Sequence, residues 1–125
     1  MSFATDLNYL MTNDTSLNTY CEGGIMYENL PENFNLTKDW IVYSFNKASQ
    51  MSCLGNTFAT NYNLTIKIIS NSTIDLETIS DHLVTYLNGN DYNGIIDIIF
   101  ESDNHTLDLE KNIYMNTLQF NVIYS

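Results

Sequence analysis

The stretch from Thr60 to Phe100 constrains the fold most, because its hydrophobic period changes in the order strand, helix, strand. Tyr62, Leu64, Ile66 and Ile68 alternate with Asn61, Asn63, Thr65 and Lys67, which sets one face on a core and one in water. Asn71 or Ser72 then caps a helix, with Asp75 in capping-box position after Ser72, and Leu76, Ile79, Leu83 and Leu87 recur at helical spacing. Asn88 and Gly89 end it, since glycine accepts the left-handed backbone that other residues resist. The polar run from Asn90 to Gly94 turns the chain into Ile95, Ile96, Asp97, Ile98, Ile99 and Phe100. The joint from Ser70 to Ile74 holds no glycine, so phosphate has no close approach to the backbone there.

The flanking segments complete one domain of 125 residues. Phe3, Leu7, Leu10 and Met11 predict an opening helix capped by Ser2 and ending near Asn13. Asp14, Thr15 and Ser16 read as breakers. Leu17, Thr19 and Cys21 alternate with Asn18, Tyr20 and Glu22, predicting a short strand before Gly23 and Gly24 that Ile25 to Tyr27 continues beyond a bulge or turn. Glu28 to Asp39, with Pro31, predicts a loop. Trp40 to Lys47 predicts a strand with apolar cover on both faces, Ile41, Tyr43 and Phe45 against Trp40, Val42 and Ser44, and hence a central strand with a helix on one side. Ala48 to Thr57 is polar with Met51, Cys53 and Leu54 embedded, and predicts a long hairpin connection ending in Gly55 and Asn56. Glu101 to Lys111 predicts an acidic loop, and the alternation from Ile113 to Tyr124 a closing strand. The expected fold is α+β, a single domain with a largely antiparallel sheet of about four to five strands covered by two helices.

Charge excludes some functions. Fifteen acidic residues stand against Lys38, Lys47, Lys67 and Lys111 with no arginine, for a net charge of −11. Nucleic acids and anionic membranes are held by clusters of Lys and Arg, and none exists here. The acidity is expected to keep the chain soluble through self-repulsion. Cys21 and Cys53 have no CxxC spacing and no basic neighbour, which predicts reduced thiols packed as small apolar groups. Asp6 and Asn8 interrupt the opening residues where a secretory segment needs an unbroken apolar run, and no stretch is long enough to span a membrane. The product is expected to remain in the cytosol or to leave it within an assembly. Asn-x-Thr triplets at Asn13, Asn35, Asn63, Asn71 and Asn104 follow from a composition rich in both residues.

No catalytic, cofactor or metal site is expected. His82 follows Asp81, and adjacent helical residues point apart, so His82 reads as part of a solvated helix face. His105 lies among Glu101, Asp103, Asp108 and Glu110 without the glycine and spacing of a calcium loop. Asp91, Asn93 and Gly94 read as a turn, and Trp40, Tyr43 and Phe45 as core packing. An assembly component is favoured over an enzyme.

The layout resembles the tail terminator, or tail completion, proteins of long-tailed bacteriophages. The likeness lies in the opening helix, the strand Trp40, Ile41, Val42, Tyr43, the strand Tyr62 to Ile69, the helix Thr73 to Leu87, and the closing Leu118, Gln119, Phe120, Asn121, Val122, Ile123, Tyr124. It covers nearly the whole chain but rests on no invariant motif, and Asp39 stands where the family often has proline. The resemblance implies a virion protein, assembled in the host cytoplasm, whose copies form a hexameric ring. That ring caps the tail tube, binds the tail tube protein, docks a neck or head-completion protein, and lets DNA pass without specific binding. Such a ring needs two different complementary patches per subunit. Met51, Cys53, Leu54 and Asn56, with a free sheet edge, are the expected subunit or tube contacts, and Glu101, Asp103, Asp108 and Glu110 are expected at the lumen or rim. The competing expectations are a head-completion or neck ring protein, and a cytosolic α+β module that binds a small ligand or peptide.

Overall fold

The computed structural model describes residues 2–29, 37–53, 56–108 and 112–125, and their side chains except at 50–53 and 56–58. The elements are α1 (Phe3–Thr12), α2 (Thr15–Tyr20), β1 (Gly24–Tyr27), β2 (Trp40–Cys53), β3 (Asn56–Ser70), α3 (Thr73–Leu87), β4 (Ile95–Asp108) and β5 (Ile113–Tyr124). The strands form one sheet in the order β1-β2-β3-β5-β4. β1 is parallel to β2, and the other neighbours are antiparallel. Because β5 lies antiparallel between β3 and β4, those two run parallel, and β3, α3 and β4 form a crossover split by the closing strand. The domain is α+β, with a mostly antiparallel sheet and its helices on one face.

The helical faces anticipated from spacing are the ones buried. Phe3, Leu7, Leu10 and Met11 from α1 and Leu76, Ile79, Leu83 and Leu87 from α3 pack on Leu64, Ile66, Ile68, Leu118, Phe120 and Val122 of the sheet. Across the sheet, Trp40, Val42, Ile69 and Ile113 form a smaller cluster with Met26 and Met115, so β2 has apolar cover on both faces. Ser2 Oγ accepts from the Thr5 N–H at 3.2 Å and Ser72 Oγ from the Asp75 N–H at 3.3 Å, which satisfies first-turn donors of α1 and α3. Gly89, at φ +77°, closes α3 and donates its N–H to the Ile98 carbonyl at 2.7 Å.

Several expectations are corrected. Leu17 to Glu22 is not a strand: residues Thr15–Tyr20 are helical, which makes three helices among the described residues instead of two. Asp14 initiates this helix as its N-cap, accepting from the Ser16 N–H at 3.4 Å. Leu17 and Cys21, one turn apart, are buried, while Thr19, which alternation would also bury, is exposed. Gly24–Tyr27 is therefore a separate strand, parallel to β2, and not a continuation past a bulge.

The hairpin connection from Ala48 to Thr57 is itself sheet over its described residues, 48–53 and 56–57. β2 and β3 pair out to Cys53 opposite Asn56, with bulges between Lys47 and Ser49 and between Met51 and Ser52. The acidic stretch from Glu101 to Asp108 is likewise strand, pairing with β5 out to Asp108 opposite Ile113, and not a loop. Polar side chains on both faces hide a strand from sequence patterns, yet its backbone groups still gain partners in the ladder. The predicted loop around Pro31 falls mostly on residues 30–36, outside the described residues.

Candidate functional site

Of the predicted contact residues, Met51, Cys53 and Asn56 lie on a protruding arm. β1 covers β2 only from Trp40 to Tyr43, so from Ser44 onward the outer side of β2 has no strand partner among the described residues. β3 reaches its last partner on β5 at Thr60 opposite Tyr124, and the ribbon continues past that point. Met51, Cys53 and Asn56 thus belong to paired strands near the arm's end, while Leu54 lies outside the described residues.

β4 is the other edge of the sheet, and every residue from Glu101 to Asp108 is exposed. Glu101, Asp103 and Asp108 sit on this strand, and Glu110 is outside the described residues. His105 Nε2 stands 3.3 Å from Asp103 Oδ2, with both side chains in water. Among the described residues no three His, Cys, Asp or Glu side chains converge as metal ligands. Since β3 and β4 run parallel, the pairs Cys53–Asn56 and Asp108–Ile113 lie at opposite ends of the sheet. The structure therefore separates the two groups of predicted residues.

Between α3 and the outer half of β4 lies a groove of about 570 Å³. β4 buries Ile95 and Ile98 in the core, then bulges between Phe100 and Ser102 and runs on exposed. Glu77, Ser80 and Asp81 line one side of the groove, Asp103, His105 and Leu107 the other, and Tyr114 and Asn116 come from β5. Asn116 is 0% exposed. Its Nδ2 donates to Ser80 Oγ at 2.8 Å, and that hydroxyl donates to the Leu76 carbonyl at 2.7 Å. Its Oδ1 has no hydrogen-bond partner among the described residues.

A second hollow, of about 300 Å³, lies where α2 and the turn before β2 meet α3, lined by Tyr20, Glu22, Asp39, Asp75 and Thr78. Asp39 Oδ1 accepts from Ser70 Oγ at 2.6 Å. Burial raises the Asp39 carboxyl above 3.8; the Ser70 hydrogen bond opposes this, and the nearby Asp75 and Glu22 carboxylates add to it. Burial, with a smaller contribution from Asp39, pushes the Cys21 thiol up to about 12, so this buried free thiol stays protonated at neutral pH.

Two residues carry more than their sequence context suggested. His82 is pinned between α2 and α3 and is not part of a solvated face: its Nε2 pairs with Asp14 Oδ2, and its ring stacks on Tyr86 at 6.1 Å. Asp6 is 1% exposed and accepts from Tyr124 Oη at 2.8 Å, Asn93 Nδ2 at 3.3 Å and the Gly94 N–H at 3.4 Å. A signal for Asp6 was present, because it falls within the same helical stripe as Phe3, Leu7 and Leu10.

No protein-family model matches the sequence, and no curated protein does. The fold is similar to that of a chain in a solved structure described as the virion of native gene transfer agent (GTA) particle. The TM-score is 0.78 at 13% identity, covering 98% of this chain and 94% of that one. At that identity the likeness shows a shared fold.

Proposed function

We propose that the chain is a structural virion protein that closes as a ring over the end of a phage-like tail tube and offers the surface on which the head docks through its neck proteins. One observation carries this reading: the fold is shared end to end, 98% of this chain against 94% of the other, with a chain of a gene transfer agent virion. The resemblance of the sequence to tail terminators points the same way. In this role the protein performs no catalysis and needs no cofactor. Its partners are further copies of itself, about six to a ring of heterologous contacts, the tail tube protein and a neck or head-completion protein. The arm and the β4 edge, at opposite ends of the sheet, supply the two unlike patches that ring closure requires. A chain of net charge −11 would let DNA slide past, because carboxylates repel phosphates.

The test is the mass of the purified protein by light scattering at several concentrations and salt levels. Like-charged subunits repel, and raising salt from 0.01 to 0.1 M shortens the screening length from about 30 to about 10 Å. A mass near six subunits, or a shift toward it with salt, is the expected result. The double variant Met51→Asp with Leu54→Asp is expected to remain a folded monomer. A monomer under every condition, with or without tail tubes, would sink the ring and favour a binding module.

A further inference from the structure

We propose that the groove between α3 and the outer half of β4 opens to receive the arm of a second copy of this chain, with the partner's Lys47 donating to Asn116 Oδ1 among the carboxylates of Glu77, Asp81 and Asp103. The inference rests on the self-assembly proposed above and names its contact. Two independent features define the ligand chemistry. Among the described residues the groove carries three carboxylates and no Lys or Arg, and beside them Asn116 has an acceptor that is fully buried and unpartnered. A buried carbonyl without a donor is unfavourable, and a donor that also carries positive charge answers both features. A primary ammonium fits, and Leu107 and Tyr114 offer apolar surface for the methylene stem of a lysine.

The distribution of charge favours one source. In a chain of net charge −11, the stretch from Trp40 to Ser70 holds Lys47 and Lys67 and no carboxylate. It is the part of the molecule least repelled by an acidic groove. Lys67 pairs with Val42 and Thr117, on the face away from the helices. Lys47 is exposed, lies opposite Tyr62, and continues the helix-bearing face of Tyr43 and Phe45 out onto the arm. A subunit cannot reach its own groove with Lys47. Lys47 is level with Val122 and Ile98, six residues along β5 from Asn116, or roughly 20 Å, and two strands away, about 10 Å more. Donor and acceptor therefore face opposite ends of one sheet, and a contact between them repeats head to tail.

The full-length chain, its Lys47→Glu and Asp103→Lys variants and the charge-swapped double variant are compared by light scattering, with circular dichroism confirming the fold. Each single reversal is expected to weaken self-association by about tenfold or more, and the double variant to recover to within roughly threefold of the parent. In parallel, a synthetic peptide of residues 44–53 is titrated into the full-length protein while the Asn116 side-chain amide is followed by NMR. The signal is expected to shift with that peptide and not with its Lys47→Glu counterpart. Single variants that assemble like the parent would overturn this contact and leave the ring intact. A double variant no better than the singles would also overturn the pairing. A parent that stays monomeric while the peptide moves the Asn116 signal would retain the groove as a lysine receptor and remove the ring. If neither assembly nor a shift occurs, both proposals fall.

Discussion

At the scale of single residues, Asp6 does most to join distant parts of the chain. Its carboxylate ties α1 to the turn before β4 and to the end of β5, accepting hydrogen bonds from Asn93, Gly94 and Tyr124. Asp6→Ala leaves those donors facing a cavity, and its cost is expected at about 2–4 kcal/mol in urea unfolding. Burial alone would raise this carboxyl, but the hydrogen bonds from Tyr124, Asn93 and Gly94 outweigh it and hold the group below 3.8. A lowered folded value stabilises above 3.8, and that contribution is lost as pH falls through the folded value. Asp6→Asn should therefore flatten the acid limb of the stability curve. Asp39 has the opposite sign. Its raised value means that ionisation in the fold is unfavourable at neutral pH, so Asp39→Asn should raise the melting temperature at pH 7, with the gain shrinking as acid protonates the parent. An Asp39→Asn variant that is less stable at pH 7 would show that its hydrogen bond with Ser70 matters more than carboxylate repulsion.

At the scale of elements, α3 shows what local rules can decide. Its fifteen residues begin at a serine cap and end before a glycine at φ +77°. Ser72→Ala is expected to cost about 1 kcal/mol through the lost cap. Gly89→Ala should cost about 1 kcal/mol through backbone strain, since no atom stands within 4 Å of an added Cβ. Chemical denaturation measures both, and a neutral Gly89→Ala would mean that the turn relaxes. The six-residue α2 was not legible in the same way. Leu17 and Cys21 lie four positions apart, a spacing that satisfies both a strand period and a helix period. What selects the helix is its cap at Asp14 and the contact of that same carboxylate with His82 on α3, a residue far along the chain. The extents of β2 and β4 were hidden for a related reason: Asn46 to Ser49 and Glu101 to Thr106 lack the buried apolar residues that mark a half-buried strand.

At the scale of the whole molecule, one core unites three helices and five strands of the described chain, with Phe120 at 0% exposure at its centre. Phe120 lies opposite Leu64 on one neighbour strand and Phe100 on the other. Phe120→Ala is expected to cost about 3–5 kcal/mol in unfolding experiments, with little effect on the outer arm's charge. A smaller loss would mean that the sheet closes around the cavity. The sequence by itself determined the α+β class, the inward faces of α1, β3 and α3, their caps and the excess of negative charge, because periodicity, capping and composition are local properties of the chain. Only the tertiary structure decided that β5 divides the β3–α3–β4 crossover, that Asp6 and His82 are tied to distant partners, and that an acid-free arm and an acidic groove occupy opposite ends of one sheet. Those features depend on which strand lies beside which, and strand order is set by packing among residues tens of positions apart, which no local pattern records.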